Sequence, residues 1–284
     1  MTTGYRADIL YPTRGEGSGV NKKELLDRFA RSGEERVLLA RVLDKLELSR
    51  SRGVPAHTSF LSPGEQALVT DLLNACGRPR HHFWGGYPDS ERNICFFPAQ
   101  WQEPDDVLTD PEGHLTAVQA KFPADASLTH RDILGALMGM GVRRDTVGDI
   151  LVGKESCDLI VLPSVAGFLK DNLTSAGRVR LRVEQIGLDE IDLPVQQRKT
   201  LHDTVAALRL DSVLAVGFSI SRSKAAQLIA AGRCAVNWRE TTKSDLALRE
   251  GDVISCRGLG KCKLTEVGGL SRKGRINITM ERYL

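Results

Sequence analysis

The amino-acid sequence predicts an α+β protein with three domains after a short tail. Hydrophobic residues have helical spacing between 21 and 79, mix strand and helix patterns from 80 to 193, and indicate two helices followed by short strands from 194 to 284. Of the 284 residues, 41% are hydrophobic and 26% charged, as is typical of globular proteins. No run of eighteen apolar residues occurs and segment 1–20 is polar, so we expect a flexible tail on a cytoplasmic protein without membrane insertion.

The first domain, 21–79, is predicted to be helical. Apolar residues recur at helical spacing between 25 and 29 and again between 37 and 48. A third helix is predicted to begin after Ser62, because a serine cap followed by proline at the first helical position and glutamate at the third is a common helix start.

The middle domain, 80–193, has a different pattern. The predicted elements are, in chain order, strands at 94–97 and 115–122, a helix from Thr129, a hairpin of strands at 148–152 and 157–162, a helix from Ser164 and a strand at 178–186. In the last strand apolar residues alternate with charged ones, so Arg180, Arg182 and Glu184 are expected to face solvent. From 115 onward the order β-α-β-β-α-β is that of a ferredoxin-like (RRM-like) fold, which RNA-recognition domains share with many domains that bind no RNA.

The last domain, 194–284, is predicted to contain two helices and a small sheet. The first helix is expected to carry Val205 and Leu214 on one side, and the second to begin at a Ser221 cap and end at Gly232. Short apolar runs after Gly232 predict four strands.

Charge is distributed unevenly between these domains. The formal net charge is only +3, but residues 198–284 contain 16 Lys or Arg against 8 Asp or Glu, whereas residues 1–197 contain 23 against 28. An excess of basic residues in one domain is typical of proteins that bind nucleic acid or another anionic surface. The carboxy-terminal domain is therefore the predicted location of an interface.

No catalytic, metal or cofactor site is predicted. The six cysteines form no CxxC pair, which favours free thiols over disulfides or zinc ligands. Gly148, Gly153 and Lys154 have the spacing of a phosphate-binding loop, but a glutamate follows Lys154 where serine or threonine would hold magnesium, and the segment is interpreted as a hairpin. The adjacent His81 and His82 lack the spacing of metal ligands.

Residues between 208 and 267 have the order and spacing of a known RNA-binding domain. The matching residues are the Arg-Leu-Asp triplet 209–211, Gly217, Phe218, the Ser-Arg-Ser-Lys-Ala run 221–225, Gln227, Leu228, Ile229, Gly232, Arg233, Val236, Asn237, Gly251 and Asp252. This set resembles the S4 domain, which is named after a protein of the small ribosomal subunit. The resemblance implies an αL-type helix-helix-strand domain that binds structured RNA.

The resemblance implies a set of RNA-contacting residues. They are Arg209, Ser221, Arg222, Ser223, Lys224, Gln227, Arg233 and Asn237, and the basic surface is expected to continue through Lys261 and Lys263. A helix that begins at Ser221 presents unpaired N–H groups and partial positive charge, which suits a phosphate. Taken alone, its charges could also form a solvated helix face, and Asn237 could equally be a turn residue.

Two acidic features receive ordinary interpretations. Asp105 and Asp106 lie in a proline-containing loop and are interpreted as solvated acids. The triplet 209–211 is similar to a catalytic signature of pseudouridine synthases, but it opens the S4-like segment itself, so Asp211 is interpreted as a helix-start residue. Residues distant in sequence could still assemble a nucleophile and its base in space.

Two more stretches carry a resemblance that covers the chain from about residue 21 to its end. These are 58–66 (Thr-Ser-Phe-Leu-Ser-Pro-Gly-Glu-Gln) and, within 83–92, Phe83, Gly85, Gly86, Tyr87, Glu91 and Arg92. They resemble signatures of the YlmH-like proteins, which include a branch called photosystem II S4 domain proteins. The segment 83–87 is interpreted either as a tight turn packed on the first strand or as a place where bases stack.

The family resemblance implies a non-enzymatic protein that binds rRNA or tRNA on the large ribosomal subunit during ribosome-associated quality control. We expect it to be a monomer and to need no cofactor. Two alternatives stay open at this point. One is an RNA-modifying enzyme that uses the S4-like domain to bind its substrate, and the other is a photosystem II assembly or regulatory factor.

Overall fold

The computed structural model describes residues 21–102, 113–193 and 198–283. They belong to two compact units, unit 1 (1–193) and unit 2 (194–284). The predicted tail at 1–20 and the acids Asp105 and Asp106 lie outside the described residues. All six cysteines are free thiols, and no helix of the described ranges is long and apolar enough to cross a bilayer.

Unit 1 begins with the three predicted helices. They are α1 (Lys22–Phe29), α2 (Gly33–Arg52) and α3 (Pro63–Ala75). The predicted start of α3 is confirmed, because the Ser62 hydroxyl accepts from the Glu65 amide while the Ser62 amide donates to the Glu65 carboxylate at 2.6 Å. Apolar residues of all three helices form one core.

A three-stranded antiparallel sheet completes this helical core. Its strands are β1 (Ala56–His57), β2 (His82–Trp84) and β3 (Ile94–Phe97), in the order β1-β3-β2. Cys95 and Phe97 of β3 are buried among the helices. The helical core therefore extends past residue 79 and includes a strand that the sequence pattern places in the middle domain. One of the two partners of β3 is β1, a two-residue strand that no local pattern predicts.

The ferredoxin-like fold is confirmed in the rest of unit 1. Its elements are β4 (Thr116–Lys121), α4 (His130–Gly139), β5 (Val147–Val152), β6 (Ser156–Val161), α5 (Pro163–Asn172), a small hairpin of β7 (Ser175–Ala176) and β8 (Val179–Arg180), and β9 (Arg182–Ile186). The sheet order is β5-β6-β4-β9 with antiparallel neighbours. The segment with phosphate-loop spacing is the β5–β6 hairpin.

The signature residues at 83–92 join the two parts of unit 1. The Asp149 carboxylate on β5 accepts from the Tyr87 hydroxyl at 2.7 Å and from the amides of Glu91 at 2.7 Å and Arg92 at 3.0 Å. At Gly86, which has φ +98°, a Cβ would lie 3.1 Å from the Ile160 side chain of β6. Of the two interpretations of this segment, the structure shows the packed turn.

Unit 2 consists of two helices on a six-stranded antiparallel sheet. Its elements are β10 (Arg198–Val205), α6 (Leu210–Gly217), α7 (Arg222–Ala230), β11 (Cys234–Val236), β12 (Arg239–Glu240), β13 (Val253–Cys256), β14 (Gly260–Leu270) and β15 (Ile276–Tyr283), with the order β10-β15-β14-β13-β11-β12. Gly232, at φ +66°, follows α7 as predicted.

The expectation that Val205 lies on a helix with Leu214 is wrong. Val205 ends strand β10, which pairs with β15 along its whole length, from Arg198 with Tyr283 to Val205 with Ile276. The partner strand lies more than seventy residues further along the chain. Pairing at such a distance outweighs local hydrophobic spacing.

Candidate nucleic-acid interface

Helices α6 and α7 are fixed on the sheet by a shared core. Leu214 and Ile229 are fully buried with Leu264 of β14 and Met280 of β15. At Gly217 a Cβ would lie 2.7 Å from the Cys262 sulfur and 3.0 Å from the end of the Met280 side chain, so α6 lies closer to the sheet than a larger residue would allow. The start of α7 is thereby presented by a rigid support.

The first turn of α7 gathers four of the predicted RNA-contacting residues. Ser221 caps the helix, since its hydroxyl accepts from the Lys224 amide at 3.2 Å, as the sequence predicted. Arg222, Ser223 and Lys224 are all exposed, and the first turn contains no acidic residue. The remaining amides of a first turn have no partner within the helix and carry partial positive charge, so this end of α7 suits an anion.

A buried aspartate positions two of the predicted arginines. The Asp211 side chain is only 6% exposed and accepts from Arg222 Nε at 3.0 Å and Nη2 at 2.9 Å. It also accepts from Arg209 Nε and Nη2, both at 3.3 Å. The two arginine side chains remain 41% (Arg209) and 58% (Arg222) exposed. Asp211 thus lies in the first turn of α6, as predicted, and in addition holds both guanidinium groups at the surface.

The charge of Asp211 is stabilised by this arrangement. Burial alone raises the pKa of a carboxyl group, but the hydrogen bonds and positive charges of Arg209 and Arg222 outweigh it, so the pKa of Asp211 lies below its usual value. The carboxylate is therefore ionised at neutral pH. Each guanidinium has five donors and gives two of them to Asp211, which leaves donors for a further acceptor such as a phosphate oxygen.

The predicted residues Lys261 and Lys263 lie on a different surface. Cys262 and Leu264, which alternate with them on β14, are buried against the helices, so both lysines project from the opposite face of the sheet. There Lys261 Nζ lies 4.3 Å from the centre of the Tyr283 ring. Strand alternation thus places the two lysines on the opposite side of the sheet from α7, so they do not continue the surface at the start of α7, and their contact with RNA stays a prediction.

The other predicted residues have mixed surroundings. Gln227 is exposed on α7, and Arg233 is exposed while it donates to the Arg257 carbonyl at 2.8 Å. Asn237 lies in the turn between β11 and β12 with φ +47°, where its side chain donates to Asp252 at 2.8 Å and accepts from the Val253 amide at 2.9 Å. The structure thus shows Asn237 as a turn residue, and its contact with RNA stays a prediction.

One further arginine lies beside this surface; it belongs to the basic run at 272–275 and is not among the predicted RNA-contacting residues. Arg275 and Arg222 both line a groove of about 490 Å³ between β10 and α6. Arg275 Nε donates to the Thr204 hydroxyl at 2.8 Å, and Nη2 donates to the Thr204 carbonyl. Its place beside α6 depends on the pairing of β10 with β15, and the basic run at 272–275 was the only signal in the sequence.

In the part of the chain that the structure describes, no three His, Cys, Asp or Glu side chains are grouped so that they could hold a metal ion. The charged side chains that the described part of unit 2 does bring together at α6 and α7 are Arg209, Asp211 and Arg222.

Comparison with known proteins finds two matching domain families and a relative that covers most of the chain. Residues 113–190 match the family described as "Putative RNA-binding domain in YlmH", and residues 208–254 match the S4 domain. The chain is 31% identical over 249 residues to the "Ribosome-associated protein quality control protein P2" of Bacillus subtilis (strain 168), covering 88% of this chain and 95% of that protein. A solved structure, "Cell division protein ylmH from Streptococcus pneumoniae", is 22% identical, covers 57% of this chain and 98% of its own, and has a TM-score of 0.46.

Proposed function

This chain belongs to the YlmH-like family of S4-domain proteins, and on that premise we propose that it is a non-enzymatic protein that docks on structured RNA of the large ribosomal subunit. The RNA is rRNA or tRNA, and the process is ribosome-associated quality control in the cytoplasm. The relative from Bacillus subtilis is named for that process. The observation that carries the proposal is the first turn of α7, where exposed Ser223 and Lys224 adjoin an arginine held in place by a buried carboxylate.

Structured RNA is a better ligand for this surface than a flexible anion. Arg209 and Arg222 are held in defined positions by Asp211, so little conformational entropy is lost when each meets a phosphate. A rigid RNA surface presents phosphates at fixed separations that such a preset pair can match. The unit-wide excess of basic residues adds a long-range attraction that depends on salt concentration.

Charge reversal at the start of α7 tests the proposal. The double variant Arg222→Glu, Lys224→Glu should lose co-sedimentation with purified large ribosomal subunits at moderate salt, because two phosphate contacts become repulsive. The matched control is Arg272→Glu, Lys273→Glu, which makes the same change in net charge at exposed positions between β14 and β15 of the same unit.

The control should retain most of its co-sedimentation. Circular dichroism should show that both variants are folded, since all four side chains are exposed and Asp211 keeps its hydrogen bonds from Arg209 when Arg222 is replaced. Unchanged co-sedimentation of the folded α7 variant would refute the proposed interface. An equal loss in both variants would show that total charge, rather than the start of α7, determines binding.

A further inference from the structure

Both faces of the ferredoxin-like sheet are covered at its central strands, so RNA bases cannot stack there. Val118 and Leu159 lie in the core with α4 and α5, so by strand alternation Ala117, Asp158 and Ile160 belong to the other face. All three are nonetheless at most 1% exposed. Residues from the helical part of unit 1 and from the end of the domain therefore cover the face that RNA-recognition folds commonly leave open.

The contacts that cover this face are specific. Ile160 shares a small core with Phe60 and Ile94 of the preceding part of unit 1. The Asp158 carboxylate accepts from Gln119 Nε2 at 2.9 Å and from the Asp192 amide at 2.7 Å. The four strands of the sheet also contain no Phe, Trp or Tyr on which a base could stack. RNA that contacts this domain must use another surface.

An arginine stripe on the edge of the same domain offers that surface. Arg180 and Arg182 lie two positions apart on the extended segment that forms β8 and enters β9, an edge strand of the sheet, and Arg178 precedes them in the turn between β7 and β8. All three are exposed, whereas Val179 and Leu181 between them pack against the core. Side chains two residues apart on a strand are separated by roughly 7 Å, which is close to the spacing of successive phosphates along an extended RNA strand.

The stripe is locally positive, although the domain as a whole has a slight excess of acidic residues. Residues 113–193 contain 9 Lys or Arg against 11 Asp or Glu, yet three of those nine basic residues lie within five positions. The next outward residue of β9, Glu184, forms an ion pair with Lys121 of β4, so its charge is compensated locally. Among the described residues, none of the three guanidinium groups donates a hydrogen bond or forms an ion pair.

We propose that Arg178, Arg180 and Arg182 form a second RNA-binding site, which contacts the phosphodiester backbone along the β8–β9 edge and leaves the bases unread. The ligand class is an RNA strand recognised by its phosphates. This proposal rests on the proposed function, because it assumes that the protein binds RNA. It locates the RNA contact of the ferredoxin-like domain on an edge rather than on the face of its sheet.

The salt dependence of binding tests the stripe in the full-length chain. The triple variant Arg178→Gln, Arg180→Gln, Arg182→Gln should bind purified large ribosomal subunits roughly 10- to 100-fold more weakly at physiological salt. The slope of log K against log salt should become less steep by about 2 to 3, since each phosphate contact contributes about 1. The control is Arg131→Gln, Lys154→Gln, Lys170→Gln, which removes three exposed positive charges elsewhere in the same domain.

The stripe is supported if only the first variant changes the slope and if Arg→Lys at the same three positions restores it, because lysine retains the charge. It is overturned if the two Gln variants behave alike, or if neither changes binding while Arg222→Glu, Lys224→Glu still abolishes it. In that last case the proposed function stands and only the stripe is lost. If none of the variants changes binding, including the pair on α7, the proposed function itself fails. Thermal melting should show that each Gln variant is folded, since the replaced side chains are exposed.

Discussion

Asp149 in unit 1 and Asp211 in unit 2 are two carboxylates that each accept hydrogen bonds from several donors, with different results. The donors to Asp149 are the Tyr87 hydroxyl and two backbone amides, and together they join the signature turn to the ferredoxin-like sheet. Among the donors to Asp211 are two arginine side chains that remain about half exposed. Asp149 stabilises the contact between the signature turn and the ferredoxin-like sheet. Asp211 instead positions two arginine side chains that face solvent.

The two aspartates therefore differ in their expected roles, Asp149 in the stability of its unit and Asp211 in the proposed RNA binding, although both units match RNA-binding families. Signature residues such as Tyr87 and Gly86 are needed because they hold unit 1 together. Arg222 stabilises the buried Asp211 carboxylate and also keeps an exposed guanidinium whose remaining donors are available to the proposed RNA ligand. Substitution of the two aspartates should therefore have effects of different kinds.

The largest effect on stability is expected from Asp149→Ala. It leaves the Tyr87 hydroxyl and two amides without their acceptor and removes a negative charge that acts on Arg92 and Arg144, so the free energy of unfolding of unit 1 should fall by about 3 kcal/mol. Burial and then the charge of Arg92 lower the pKa of Arg144 to about 10, while the charge of Asp149 acts in the opposite direction and favours the charged guanidinium. Urea denaturation measures the loss.

The matched control for this substitution is Asp125→Ala. It removes the same charge from an exposed turn of the same unit, and the expected change is within about 0.5 kcal/mol. RNA binding of folded Asp149→Ala should equal that of the wild type. If Asp149→Ala and Asp125→Ala lowered the free energy of unfolding equally, the hydrogen bonds to Asp149 would have no special role in stability.

Local signals made the helix ends predictable from the sequence. Ser62, Thr129 and Ser221 each cap the helix that follows, and Gly232 ends α7, because a cap depends only on residues within one turn. The same locality explains why the element order of the ferredoxin-like domain and the S4 pattern were visible in the sequence.

Features that depend on distant partners were not predictable. Local spacing predicts a helix at β10 because β15, its partner, lies far along the chain. Local patterns also give no sign that β3 pairs with β1 and packs on the helices of the first predicted domain. The side of the sheet on which Lys261 lies depends on the burial of its neighbour Cys262 against the helices, which the sequence alone does not reveal. Asp211 was placed at a helix start, but its bond to Arg222 depends on how α6 and α7 pack.

The second prediction concerns Asp211→Asn. This change makes the protein more positive by one charge, yet RNA affinity should fall, by roughly 3- to 10-fold, because Arg209 and Arg222 are no longer held in place. Filter binding measures the affinity, and Asp245→Asn, at an exposed position of the same unit, is the control with the same change in charge. Tighter binding by Asp211→Asn would mean that net charge matters more than position.

The same variant has a defined pH dependence. The pKa of Asp211 is lowered in the folded protein, so its contribution to stability is present above the ordinary carboxyl pKa of about 4 and is lost as the pH falls through the lower folded value. Wild type and Asp211→Asn should therefore differ in unfolding free energy by about 2 kcal/mol at neutral pH and converge below pH 4. A difference that stays constant down to pH 3 would contradict the ion-pair account.

The smallest expected effects come from the two serine caps, which provide the most direct comparison of the units. Ser62→Ala and Ser221→Ala each remove a hydroxyl that accepts from the third amide of a helix, so each should cost its own unit about 1 kcal/mol. Only Ser221→Ala should also weaken RNA binding, by roughly 2- to 3-fold, because fraying of the first turn displaces Arg222 and Lys224.

Urea denaturation measures the free energy of unfolding, and filter binding measures the RNA affinity. Serine-to-threonine variants, which keep the cap, should restore both. If Ser62→Ala weakened RNA binding as much as Ser221→Ala, the affinity would follow stability in general, and the start of α7 would have no special part in it.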